Sequence, residues 1–217
     1  MANLITLTAK DGSQVQFYDE IKASGGVKDV YFSPDKSYVV AFYRKPICAN
    51  DKQRIEDIVN VHRNRIFEAD ATGKYWEQFF AWPSKIVEWK GLTGIVMPFY
   101  DKKFFFSGVD PNWAFMKDGQ EKNGKWFASA KLFNRFVPDN QKGTFLKRLH
   151  MCLKIARAMR RIHAAGLAHS DLSYNNVLVD PLTGNACIID CDGLVVPQKF
   201  PPEVVGTPGF IAPEVMA

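Results

Sequence analysis

The chain has 217 residues, enough to bury a sizeable core as one large domain or two small lobes. Its 47% hydrophobic and 24% charged residues, with 17 Phe and 5 Trp, exclude an extensively disordered chain. The net charge of +5 is mild and the basic residues are scattered apart from short runs such as Lys154 to Arg161, so these read as solvated faces and no nucleic-acid partner is expected.

In chain order, strands come first. Met1 to Thr8 alternates instead of running apolar, so no signal peptide is expected, and Ser13 to Tyr18 alternates polar and apolar residues. Val27 to Phe32 and Tyr38 to Tyr43 form a predicted hairpin around the turn Ser33-Pro34-Asp35-Lys36, with proline at its second position. Asp51 to Phe67 carries Ile55, Ile58, Val59, His62 and Ile66 at helical spacing, and Ile86 to Trp89 and Gly94 to Phe99 read as further strands. Asp101 to Gln141 reads as an irregular linker with one helix around Lys125 to Phe136. A long helix is predicted over Thr144 to Ala165, with Leu149, Cys152, Leu153, Ala156, Met159 and Ile162 on its apolar face and Gly166 as C-cap. Val177 to Val179 and Cys187 to Ile189 read as two short buried strands. Cys48, Cys152, Cys187 and Cys191 form no Cys-x-x-Cys pair, which argues against a zinc site or disulfide framework and fits a reduced, cytoplasmic setting. No stretch approaches the roughly 20 apolar residues of a membrane span.

Directly after the long helix stands His169-Ser170-Asp171-Leu172-Ser173-Tyr174-Asn175-Asn176. Alone, this could equally be a polar helix-to-strand turn with capping Asp and Asn. Further on come Ile188-Ile189-Asp190-Cys191-Asp192-Gly193 and Gly206-Thr207-Pro208-Gly209-Phe210-Ile211-Ala212-Pro213-Glu214. In this order the three segments resemble the catalytic loop, the Asp-Phe-Gly magnesium motif and the Ala-Pro-Glu end of the activation segment of eukaryotic-like (Hanks-type) protein kinases. The resemblance implies an α+β, bilobal protein-kinase-like fold, with an antiparallel β N-lobe carrying one helix (1–98) and the first part of a mainly helical C-lobe (99–217). It implies Asp171 as catalytic base, Asn176 and Asp190 as magnesium ligands, and Thr207 bonded near Asp171, with ATP and Mg2+ as cofactors. Cys191 replaces the motif's Phe and Asp192 its Gly; Asp192 is either a second magnesium contact or a surface turn.

The nucleotide lobe departs from the family pattern. In Ala23-Ser24-Gly25-Gly26-Val27-Lys28-Asp29-Val30-Tyr31, Ala23 takes the first glycine position, Gly25 the second and Lys28 the third. Gly25, Gly26 and Val30 would lie along the nucleotide, because glycine lets backbone N–H groups approach phosphate. The strand Val39-Val40-Ala41-Phe42-Tyr43-Arg44-Lys45 puts Ala41 over adenine and Tyr43 where the ATP-binding lysine belongs. With-no-lysine kinases supply that lysine from the third-glycine position, so Lys28 is expected there; Lys45, or no lysine at all, is the alternative. Glu56 is expected to pair with the lysine, with Asp57 as fallback, or both are exposed helix charges. Met97 would be the gatekeeper, and Phe99 or Tyr100 the hinge donor, since Pro98 has no N–H.

The resemblance implies transfer of the ATP γ-phosphate to a protein serine or threonine; a nucleotide-binding pseudokinase scaffold and a small-molecule kinase are the alternatives. Ser173 stands where such kinases have a lysine and Ser170 where they have an arginine, so control by activation-loop phosphorylation is not expected. The Asp-x-Asp-Gly and Gly-Thr-Pro pattern is similar to bacterial kinase-like proteins. The protein substrate is unspecified, no membrane partner is expected, and the C-lobe is incomplete after Ala-Pro-Glu. Its remainder is expected in cis, and without it part of the long helix's apolar face would lie uncovered.

Overall fold

The computed structural model describes residues 2–68, 72–113, 115–197, 199–200 and 206–211; Ala212-Pro213-Glu214 lies outside them. The chain begins with an antiparallel hairpin, β1 (Leu4–Thr8) and β2 (Gln14–Tyr18). Alternation decides its faces: Val15 and Phe17 point inward and are buried, while Gln14, Gln16 and Tyr18 point out. The inward face covers an antiparallel sheet of five strands, β3 (Ala23–Ser24), β4 (Lys28–Phe32), β5 (Tyr38–Tyr43), β6 (Lys85–Trp89) and β7 (Leu92–Pro98), in the order β3-β4-β5-β7-β6. Val15 and Phe17 pack on Val40, Phe42, Val87 and Val96, and the Phe17 ring stands edge-on to Tyr31 and Trp89 at 5.5 and 5.2 Å. In the β4–β5 hairpin, Asp35 accepts from the Ser37 N–H, and the register sets Lys28 opposite Tyr43 and Val30 opposite Ala41.

The opposite sheet face receives one long helical element. α1 (Ala49–Asp57) passes into a π-helical turn, Ile58–His62, and on into α2 (Arg63–Phe67), so the uniform helix expected over 51–67 is interrupted. Across the wider turn, Ile55 and Val59 pack on the sheet side, while Ile58, Ile66 and Phe67 pack into the main core, all buried. Trp82 Nε1 donates to the Ile58 carbonyl at 3.0 Å, satisfying an acceptor at the start of that turn. A short α3 (Gly73–Glu77) follows.

The rest of the chain is mainly helical. Where one helix was expected over 125–136 there are two, α4 (Lys125–Ala128) and α5 (Ala130–Phe136). Ser129 between them is extended, and its Oγ caps α5 by accepting from the Leu132 N–H. α6 (Phe145–Ala164) starts on a Thr144 cap, whose Oγ1 accepts from the Lys147 N–H. It ends in a Schellman motif: Gly166 at φ +75° donates to His163 and Leu167 donates to Ile162.

The apolar stripe expected on α6 is corrected. Met151, Ala158 and Ile162 are buried, and Ile155 and Met159 pack beside them, whereas Leu149 and Leu153 are 49% exposed and Cys152 is exposed. The sequence carries apolar residues on two sides of the helix, and only one side meets β8 (Val177–Asp180) and β9 (Asn185–Ile188). Among the described residues, that leaves part of the apolar surface uncovered. The largest core joins Ile58, Ile66 and Phe67 to Ile162, Val177, Ile188 and Leu194, so helix and lower lobe share one interior. The predicted α+β, bilobal arrangement is what the structure shows. Among the described residues, no helix is long and apolar enough to cross a membrane.

Candidate active site

A cleft of about 770 Å³ opens between the β4–β5 hairpin and the segments following α6 and β9, with Lys28, Asp171 and Asp190 among the residues that line it. On its floor, Asp171 is held from both sides. Oδ1 accepts from the Thr207 N–H at 2.8 Å and from Thr207 Oγ1 at 2.5 Å, and Oδ2 accepts from Asn176 Nδ2 at 3.1 Å. Asn176 Nδ2 also donates to the Asp171 carbonyl at 2.7 Å, which leaves the amide oxygen as the acceptor of that side chain. Ser173 is buried and caps the short 3-10 turn Tyr174–Asn176, so it is a structural cap where the family has a lysine. Gly206 is required: at φ +110°, a Cβ would lie 2.6 Å from the Ser170 carbonyl oxygen, and this glycine delivers Thr207.

His169 Nε2 lies 3.2 Å from the Ile189 carbonyl oxygen, tying the loop to the end of β9. Asp190 follows in the left-handed region (φ 59°, ψ 35°) and opens a 3-10 turn, Cys191–Gly193. That turn directs Asp190, 46% exposed, toward the cleft and sends Asp192, 2% exposed, inward. Cys191 is fully buried in the main core beside Leu194, a small apolar side chain in the place of the family's Phe.

Lys28 reaches both carboxylates. Its Nζ donates to Asp190 Oδ1 at 2.9 Å and to Asp192 Oδ1 and Oδ2 at 2.8 and 2.6 Å, and the Tyr43 hydroxyl donates to Asp192 Oδ2 at 2.5 Å. Burial would lower the Lys28 pKa, but the charges of Asp192 and Asp190 outweigh it and hold the ammonium above the ordinary lysine value. Burial would raise Asp192, but Lys28 and the Tyr43 hydroxyl hold it below the usual carboxylate value. Burial, and then the Asp192 charge, push the Tyr43 phenol far up, so it stays a neutral donor. From α1, Arg54 Nη1 donates to the backbone carbonyls of Asp192 at 2.6 Å and Leu194 at 3.3 Å.

The structure therefore brings Lys28, Asp171, Asp190 and Asp192 to one cleft, with Asn176 and Thr207 bonded to Asp171 behind it. It does not bring Glu56 there: that carboxylate is bonded to Lys10 at the β1–β2 turn, and Asp57, the fallback, bonds Lys199 at 2.5 Å. Asp192, expected as a magnesium contact or surface turn, is buried with both oxygens bonded to Lys28. Lys45 lines the cleft but is exposed, and Arg44 clamps the glycine loop, donating to the Gly25 carbonyl at 2.5 Å. Gly25 closes that loop by donating to the Lys28 carbonyl at 2.9 Å, and a Cβ on Gly26 would meet open space.

Ala41 and Met97 sit in one cluster with Val30 and Phe99 against it, while Tyr100 packs separately on Leu178 and Ile189. Phe99 N–H donates to the Ser37 carbonyl at 3.4 Å. Arg54 was missed. It lies one residue before the buried Ile55, and helical periodicity does not distinguish a solvated arginine there from one that reaches a turn on the other lobe.

No family model matches the chain. It is 40% identical over 78 residues to the rat dual specificity testis-specific protein kinase 1, covering 32% of this chain and 12% of that protein. It is 30% identical over 74 residues to the dual serine/threonine and tyrosine protein kinase of Apis mellifera, covering 34% and 8%. The chain thus spans a small fraction of these relatives' lengths. Among solved structures, a Toxoplasma gondii virulence factor described as having a protein-kinase fold and no enzymatic activity matches with a TM-score of 0.55 and 13% identity, over 99% of this chain and 60% of that one. A rhoptry kinase from the same organism matches with a TM-score of 0.52 and 12% identity, over 90% and 51%. The observed bilobal architecture is the one these structures share.

Proposed function

We propose that this chain, a member of the protein-kinase superfamily, transfers the γ-phosphate of ATP to a serine or threonine hydroxyl of a protein in the cytoplasm. The observation that carries this reading is the Asp171 carboxylate, held by Thr207 and Asn176 on the floor of the cleft that Lys28 enters from above. Three donor groups from two residues fix the orientation of its oxygens, and a fixed carboxylate is what positions an incoming hydroxyl. Asp171 accepts the hydroxyl proton as the acceptor oxygen bonds to the γ-phosphorus. The bond to the bridging oxygen breaks, and ADP leaves with that electron pair. Lys28 holds the α- and β-phosphates by charge; an ammonium serves as a point charge whichever strand delivers it. Val30, Ala41 and Met97 form the apolar surface for adenine, with Tyr100 N–H as the hinge donor.

The donor set fits magnesium, which takes few protein oxygens and completes its shell with phosphate and water. The Asn176 amide oxygen and the outward Asp190 oxygen would hold it, where it would neutralise charge on the phosphates. A nucleotide-binding pseudokinase is the second reading, favoured by the engagement of Lys28 with two carboxylates.

The test is γ-phosphate transfer with magnesium and a mixed protein acceptor, comparing wild type with Asp171→Asn. Loss of a positioned base is worth about 10²- to 10⁴-fold in kcat, and that loss is expected with unchanged ATP affinity. ATP binding without turnover in the wild type would establish the pseudokinase instead.

A further inference from the structure

Helix α1 gives Lys28 no anionic partner. Its acidic side chains are committed elsewhere: Asp51 to Arg54, Glu56 to Lys10 and Asp57 to Lys199. What α1 sends to the site is a cation, and Arg54 spends it on the backbone of the turn that carries Asp192. The carboxylate that fixes Lys28 comes from the opposite lobe. Asp192 is almost wholly buried, takes the ammonium on both oxygens, and receives the hydroxyl of Tyr43, the cross-strand neighbour of Lys28. Tyr43 also fills the space where a strand lysine would project, with Lys28 Nζ 5.5 Å from its ring centre.

We infer that Asp192 is the positioning carboxylate for the ATP-binding lysine, that Tyr43 orients it, and that Arg54 anchors its turn. Asp192 is thus not a metal ligand. This inference rests on the reading that Lys28 holds ATP phosphates. Asp192 and Tyr43 touch neither phosphate nor metal; they act through Lys28. Because Asp192 occupies the buried side of the ammonium, Asp190 needs only one oxygen for Lys28 and keeps the other toward the cleft. The arrangement couples lobe closure to lysine placement: β4 and β5 supply Lys28 and Tyr43, the segment after β9 supplies Asp192, and α1 holds that segment by Arg54.

The full chain is tested as wild type, Lys28→Met, Asp192→Asn, Tyr43→Phe, the Tyr43→Phe/Asp192→Asn double variant and Glu56→Gln. ATP affinity is measured by calorimetry with and without magnesium, alongside KM and kcat for transfer. Asp192→Asn keeps shape and removes charge, and is expected to weaken ATP by about tenfold or more, as loss of a buried charge partner does. The loss is expected to be equal with and without magnesium. Tyr43→Phe, which retains the half-buried ring, is expected to cost about threefold, and the double variant no more than Asp192→Asn alone, as for residues acting as one unit. Glu56→Gln should change neither quantity by more than about twofold.

A loss in Asp192→Asn confined to magnesium-containing samples would make Asp192 a metal ligand and overturn the inference. So would unchanged ATP affinity in both Asp192→Asn and Tyr43→Phe while Lys28→Met loses it; the nucleotide reading would then stand. If wild type binds no ATP, both fall together.

Discussion

Replacing Lys28 with methionine separates a packed ionic site from a solvated one. Methionine keeps most of the aliphatic stem and removes the ammonium. The arm to Asp190 contributes little, because that carboxylate is 46% exposed and exposed pairs are worth about 0–1 kcal/mol. The arm to Asp192 is different: the carboxylate is 2% exposed, and without Lys28 its hydrogen-bond donors among the described residues are the Tyr43 hydroxyl and the local backbone. Breaking a buried pair costs about 3–5 kcal/mol, and protonation of the stranded carboxylate relieves part of that. A loss of about 3 kcal/mol follows, read as an earlier urea midpoint or a melting temperature lower by about 6–12 °C for a chain of this size. Adding Asp192→Asn to Lys28→Met removes the orphaned charge and should return the protein to within about 1 kcal/mol of wild type. A Lys28→Met protein within about 0.5 kcal/mol of wild type, or no recovery in the pair, would refute the reasoning.

His62 sits buried in the π-helical turn, with Nδ1 unpartnered, and burial holds its pKa below the ordinary 6.5, assisted by Arg65 and Lys199 and opposed by Asp57. The unfolded chain then binds the proton more readily, so stability should fall as pH drops below about 6.5, and His62→Gln should flatten that dependence in melts taken between pH 5 and 8. Ile162→Ala, at a fully buried core position, should cost about 2–5 kcal/mol in urea denaturation, whereas Leu149→Ala on the outer face should cost less than about 0.5 kcal/mol. Gly206→Ala forces a Cβ against the Ser170 carbonyl and should displace Thr207 from Asp171. Transfer should drop by about tenfold to a hundredfold, and the strained backbone should lower the melting temperature as well.

Much of the architecture was legible because local rules and tertiary packing agree. The β4–β5 hairpin carries its own turn chemistry, α6 its Thr144 and Gly166 caps, and each of the short strands after it a run of apolar residues. The π turn at Ile58–His62 was not legible, since the spacing of Ile55, Val59 and Ile66 is compatible with an unbroken helix. The buried side of α6 was misjudged because Leu149 and Leu153 are as apolar as Met151 and Ile155, and only the position of β8 and β9 decides between them. In the site, Lys28 and the catalytic-loop residues were found by motif position. The partner of Lys28 was not, because a carboxylate two residues beyond Asp190 becomes a lysine partner only through the left-handed turn that faces it inward. Glu56 fails for a corresponding reason: Lys10 on the added hairpin captures it, and nothing local in the helix signals that contact.

The exchange of a strand lysine for Tyr43 and Lys28 has a consequence for chemical probes. Lysine-directed electrophiles mounted on an ATP-like scaffold are aimed at an amine rising from the middle strand. Here such a warhead would arrive at a half-buried neutral phenol, and the amine lies across the hairpin, capped by two carboxylates and held as an unreactive ammonium. Profiling by lysine acylation from such scaffolds would pass over this protein. A warhead displaced by one strand, toward β4, is the geometry that would reach it.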